Sequence, residues 1–268
     1  MTKSVEDCQI VFDVIKGKDE KDATSVASEI SNFTCLRRQE FQISNFKIGV
    51  PKEYFEKGLD PQVEKIIKNA INKIKNAGAE IIEISLPTSK YALACYYIID
   101  PSEISANLAR FDGIRYGYSE IRNPKSEIRN LLDVYLKTRG RGLGLEVKRR
   151  IMLGTYCLSS GYYDAYYKKA QEARELIRQD FDKAFEKVDL LFCPVSPFPA
   201  FKIGEKTNDP MSMYLADIYT IPLKLAGLLG ISLPSGKIES LPVGLQIVGK
   251  HFEEYKILSI ASQLEKML

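Results

Sequence analysis

The chain has 268 residues, 45% of them hydrophobic, with Lys+Arg 38 against Asp+Glu 35 and a formal net charge of +3. That length and apolar content are enough to bury a core, and so small a charge imbalance makes no case for a nucleic-acid surface. No apolar run approaches the roughly 20 residues of a membrane helix, and the opening MTKSVEDC has no signal-peptide apolar stretch; the expected setting is the cytoplasm.

The first expected element is a helix over 4–16, in which Val5, Cys8, Phe12 and Ile15 share a face and Thr2 or Ser4 can cap the start. Residues 17–46 are polar and mixed and read as a surface excursion. A β-α-β unit follows: KIGV at 47–50, a helix near 61–76 with Val63, Ile66, Ile67, Ala70, Ile71 and Ile74, then Gly78 and the strand AEIIEISL at 79–86. Parallel pairing is expected there.

Helices dominate from about 88 to 188. In the last of them Tyr166, Ala170, Ala173, Ile177, Phe181, Ala184 and Val188 recur at the helical period, a core stripe rather than a site. DLLFCP at 189–194 reads as a buried strand stopped by proline. A helix near 213–226, strands at 231–236 and 242–249, and a terminal helix near 253–266 complete the pattern. The strand at 242–249 is apolar at most positions, as a strand covered on both faces would be. The class is α/β, with a mixed, largely parallel sheet covered by helices.

Nucleophilic and phosphate-binding motifs fail one by one. GRGLG at 140–144 follows no strand and lacks a third glycine, and in GISLPSGK at 230–237 the next residue, Ile238, stands where a P-loop needs a hydroxyl. There is no GxSxG elbow, and Ser159-Ser160-Gly161 lies in a tyrosine-rich helical stretch where small residues ease packing. The five cysteines, Cys8, Cys35, Cys95, Cys157 and Cys193, form no CxxC pair and read as buried thiols, with neither a disulfide framework nor a metal site indicated. His251 is the only histidine; it lies in the loop-like GKHFEE, where a solvent-facing role outweighs that of a general base.

Three polar residues remain embedded in apolar or aromatic segments: Tyr96, Arg150 and Asp217. A charge in such a segment is costly unless it is paired or faces a polar ligand. From the residues alone, pairing with unrelated groups, surface exposure and a ligand site all stay open.

The stretches SKYALACYYIIDPSEISANLARFDGIRYGY (89–118), EVKRRIMLGTYCLSSGYYDAYYKKAQEAR (146–174), DPMSMYLADIYTIPLKLAGLLGISLPSG (209–236) and LPVGLQIVGKHFEE (241–254) closely resemble the amidase-signature family. ANLARFDG and KRRIMLG favour its GatA branch, the glutaminase subunits of tRNA-dependent amidotransferases. The resemblance implies an amidase-signature fold, with residues 1–268 as the C-terminal part of a single such domain. It also implies partnership with GatB-like and GatC-like subunits, with ATP and Mg used by a partner and no cofactor by this chain. Glutamine would be the ammonia donor, and tRNA would be met only through the complex.

Family members hydrolyse glutamine with a Ser-cis-Ser-Lys triad, which works without histidine if a desolvated lysine takes the proton through the bridging serine. The glycine-serine-rich signature holding that triad is not found in this sequence. TKSVED at 2–7 matches the family's T-[KR]-[ST]-V-x-D segment, which lies shortly after the nucleophile. The expectation is therefore a fold truncated at the N-terminus and inactive alone, with no catalytic residue to be assigned here. Position by position, the resemblance gives Arg150 the substrate α-carboxylate, Asp217 the α-ammonium, and Tyr96 a place in the pocket wall. One fixed cation and one fixed anion suit a zwitterionic amino acid. Another amidase-signature hydrolase, or a noncatalytic scaffold left by a broken gene, are the competing expectations; in the upstream DNA, an in-frame extension with a glycine-serine signature would support a mis-called start, and stop codons a broken gene.

Overall fold

A computed structural model describes residues 1–26, 42–56, 58–207 and 209–268. Cys35 and most of the expected excursion over 17–46 lie outside the described residues. The chain divides into two compact units, Met1–Leu93 with Glu175–Leu268, and Ala94–Arg174.

The first unit holds a five-stranded sheet of order β2-β1-β3-β5-β4, built from β1 (Lys47–Pro51), β2 (Glu80–Ile84), β3 (Leu190–Pro194), β4 (Leu229–Ile238) and β5 (Leu241–Gly249). β1 pairs in parallel with β2 and β3, and β3 and β4 pair antiparallel with β5. The sheet is thus mixed as expected, with its parallel part confined to β2-β1-β3 and a β4-β5 hairpin at the other side. All five β3 residues are buried, which is why DLLFCP carries no alternation.

Helix α1 (Val5–Ile15) starts where Ser4 accepts a hydrogen bond from the Asp7 N–H at 3.1 Å, so the serine of the TKSVED segment is a cap. Val5 is buried and Cys8 and Phe12 are half-buried, but Ile15 is 73% exposed. The expected four-residue stripe fails at its last member because Lys16, one position on, turns inward to pair with Asp13 and Tyr255. Helix α2 (Pro61–Asn76) fulfils its pattern. Asp60 caps it through Gln62 N–H and Val63 N–H, Pro61 opens it, and Val63, Ile67, Ala70, Ile71 and Ile74 are buried.

The second unit contains most of α3 (Ala92–Leu108), then α4 (Leu131–Gly142), α5 (Leu145–Leu158) and the start of α6 (Lys169–Phe185). Ser159-Ser160-Gly161 is not a packing seam. Ser159 ends α5 in an extended conformation and Gly161 takes φ +86°, so these residues break the helix. The packing glycine is Gly154, where an added Cβ would run into the carbonyl of Pro101 on α3. Between α5 and α6, residues Asp164–Lys168 form a π-turn with Lys168 N–H bonded to Tyr163 O at 3.0 Å. One inserted residue shifts the helical phase. Tyr166 therefore leaves the expected core stripe for a cluster with Tyr156 and Tyr162, whereas Ala170, Ile177, Phe181 and Ala184 stay buried.

Glu120 anchors the loop between α3 and α4. Its side chain is fully buried, Arg141 donates to both of its oxygens at 3.1 and 2.9 Å, and its own N–H bonds Thr138 Oγ1 at 3.2 Å. The nearby Ser126 hydroxyl and hydrogen bonds donated by Tyr118 and Arg141 outweigh desolvation and pull its carboxyl from 4.5 down to about 2. A depressed carboxyl stabilises the folded state above its unfolded pKa and stops doing so as pH falls through the folded one. Unfolding measured between pH 5 and 2 should therefore show progressive loss of stability, and Glu120→Gln should flatten that limb; an unchanged acid limb would count against the anchor. Gly154→Ala should cost about 1 to 3 kcal/mol from overpacking against Pro101. The sign is the useful part, because helix propensity alone would make the same change favourable by about 1 kcal/mol. A urea midpoint that rises would contradict the close approach.

Candidate functional site

Arg150 lies on α5 and Tyr96, Tyr97 and Asp100 lie on α3, all in the second unit. Tyr96 and Asp100 are four apart on one helix, and Glu146 and Arg150 four apart on another, so each pair shares a face. The Arg150 guanidinium donates from Nη1 to Asp100 Oδ2 at 2.6 Å and from Nε to Glu146 Oε1 at 3.0 Å. The Tyr96 hydroxyl is close enough to favour the cation as well. The Tyr97 ring centroid lies 5.7 Å from the guanidinium carbon, and the Tyr96 and Tyr97 rings meet edge to face. The sequence thus named two members of this cluster, Tyr96 and Arg150, and the structure brings them together.

Arg150 keeps its charge here. Partial burial works against the cation, but the hydrogen bond it donates to Glu146, the nearby Tyr96 hydroxyl and the charge of Asp100 more than offset it, and its pKa moves upward. The Arg150 and Asp100 side chains are each about a quarter exposed, at 25% and 27%, while Glu146 is 46% exposed. A guanidinium has five N–H donors, and these partners do not exhaust them. Asp100 and Glu146 were missed in the sequence. Glu146 was legible as an (i, i+4) partner of Arg150, whereas Asp100 comes from another helix and needed the fold.

Asp217 belongs to the first unit. The helix expected over 213–226 is instead two short helices, α7 (Pro210–Leu215) and α8 (Ile221–Ala226). Pro222 has no N–H to continue a helix through this point and suits the first turn of a new one. Between them the chain makes a tight turn, with Asp217 O accepting from the N–H groups of Thr220 and Ile221 at 3.0 Å each and from Thr220 Oγ1 at 3.2 Å. Asp217 thus stands at a helix break, with Tyr219 and Ile221 buried beside it.

Other nucleophile candidates fall away on geometry. Burial pushes the Cys95 thiol up to about 11 and the Cys193 thiol up to about 12, and raises Cys157 as well; such thiols are inert. His251 is exposed, and its Nδ1 is taken up by the Gly227 carbonyl at 2.9 Å. Among the described residues no group of three or more His, Cys, Asp or Glu could hold a metal ion, and no helix is long and apolar enough to cross a membrane.

Residues 1–258, which carry both the mixed sheet and the Arg150 cluster, match the Amidase family model, and the chain belongs to that family. It is 52% identical over 99% of its length to the glutamyl-tRNA(Gln) amidotransferase A subunit of Thermoanaerobacter pseudethanolicus, covering 53% of that protein. It is 54% identical over 99% of its length to the protein of the same name from Thermodesulfovibrio yellowstonii, covering 54% of it. The crystal structure of a glutamyl-tRNA(Gln) amidotransferase A subunit from Thermotoga maritima superposes with a TM-score of 0.72 at 36% identity, over 99% of this chain and 51% of that one. The chain spans about half the length of the curated relatives it matches.

Proposed function

We propose that this chain supplies the glutamine-gripping part of the glutaminase component of a tRNA-dependent amidotransferase, working in the cytoplasm with GatB-like and GatC-like subunits. The reaction is hydrolysis of the glutamine side-chain amide to glutamate and ammonia; the ammonia then displaces phosphate from the side-chain carboxylate of glutamyl-tRNA(Gln), or of aspartyl-tRNA(Asn), after a partner subunit has activated that carboxylate with ATP. The observation that carries the proposal is Arg150: a cation kept charged, oriented by two helices and flanked by two tyrosines. It suits a carboxylate ligand bound through paired N–H donors. Names of relatives at about half identity support the choice of glutamine over other amides.

In this reading Arg150 takes the α-carboxylate, Tyr96 walls the pocket, and Asp217 takes the α-ammonium. The attacking serine and its lysine base belong to the family's glycine-serine signature, for which no residue of this chain substitutes. Asp100 and Glu146 already place two negative charges on one positive one, so an incoming carboxylate must compete. Glu146, the more exposed of the two, is the partner that rotates aside, and Asp100 stays to hold the guanidinium in place. Arg150→Ala in the intact enzyme strands the ligand carboxylate and should lower kcat/KM for glutamine by about 2 to 5 kcal/mol. An unchanged kcat/KM would remove Arg150 from the pocket. The 268-residue chain alone should release no ammonia from glutamine; release catalysed by the purified chain would overturn the division of labour.

A further inference from the structure

β5 carries one polar side chain in an otherwise apolar buried run, and that side chain is Gln246, 5% exposed. A buried amide in a strand core is costly unless its N–H groups find acceptors. Gln246 Nε2 donates to Cys193 Sγ, its cross-strand neighbour on β3, at 3.3 Å and to the carbonyl of Tyr219 at 3.4 Å. The second bond leaves the sheet and reaches the turn that holds Asp217. Tyr54 packs its ring on that of Tyr219 with centroids 5.0 Å apart, yet its buried hydroxyl has no hydrogen-bond partner among the described residues. The amide of Gln246 is thus a polar tie between sheet and turn, where the neighbouring ring contact is apolar.

We infer that Gln246 is a positioning residue, which from the middle of β5 fixes the turn at 216–220 and so the direction in which Asp217 presents its carboxylate. The inference rests on the reading of Asp217 as the ammonium partner. The turn is short, lies between two six-residue helices, and is closed internally by backbone bonds to the carbonyls of Met213, Tyr214, Leu215 and Asp217. Such a segment opens easily unless it is tied to something rigid. A β-strand paired on both sides is rigid, and an amide with two donors can serve the strand neighbour and the turn together. A carboxylate that must meet an ammonium group within hydrogen-bond distance gains from that fixing, since a misplaced partner loses most of its effect.

The test uses Gln246→Met, which keeps the volume and removes both donors, with Cys193→Ala as a second variant that leaves the bond to Tyr219 in place. Hydrogen exchange of the intact protein should show the Thr220 and Ile221 amides exchanging about tenfold faster in Gln246→Met, with α2 unchanged and no acceleration in Cys193→Ala. Unchanged exchange at Thr220 and Ile221, or equal acceleration in Cys193→Ala, overturns the inference. In turnover assays Gln246→Met should raise KM for glutamine about tenfold with kcat nearly held, while glutaramate, which lacks the α-ammonium, is used as before. Equal losses on both amides would mean that Gln246 serves folding only. If the unmodified enzyme fails to hydrolyse glutamine at all, the glutamine reading falls, and the exchange data still decide whether Gln246 holds the turn.

Discussion

The sheet depends on β3. Its five residues are buried without exception, and it is the strand at which a parallel neighbour, β1, gives way to an antiparallel one, β5. Each fully buried Leu or Phe there contributes about 1.5 to 3 kcal/mol, so Leu190, Leu191 and Phe192 commit the chain to this layer. The same burial makes any polar atom in the layer expensive. That is why the Cys193 thiol is held neutral, and why its neighbour Gln246 directs its amide to two acceptors rather than leaving it idle. Pro194 is the last residue of the strand, and the Val195 N–H still bonds the Gly244 carbonyl of β5 at 3.3 Å.

In the proposed recognition the two charges come from different parts of the chain. The helical unit fixes a cation by surrounding Arg150 with Asp100, Glu146 and Tyr96. In the sheet unit, Asp217 stands in the turn between α7 and α8. A free amino acid carries both charges on one carbon, so a protein that offers one of each distinguishes it from a simple amide without touching the reacting group.

Much of the fold was legible because burial imposes a period. The α2 stripe and the continuous apolar run of β3 were read correctly, since each is covered in a way that its own spacing announces. The failures share a cause, which is local backbone and side-chain chemistry overriding periodicity. Pro222 split the helix expected over 213–226, and a π-turn rotated Tyr166 out of the stripe. Lys16 drew the end of α1 inward, leaving Ile15 in solvent. Within the candidate site, Arg150 and Tyr96 stood out as polar groups in apolar surroundings. Asp100 and Gln246 did not, because a carboxylate and an amide reveal their purpose only when the fold supplies partners from other elements.

Whether Arg150 and Asp217 serve one ligand can be decided by a crystal structure of the intact enzyme soaked with L-glutamine, its nucleophile disabled. The expected density places the α-carboxylate against the Arg150 guanidinium, with Glu146 swung away, and the α-ammonium within hydrogen-bond distance of Asp217. Glutamine bound elsewhere, or Arg150 and Asp217 opening onto separate cavities, would refute the shared grip.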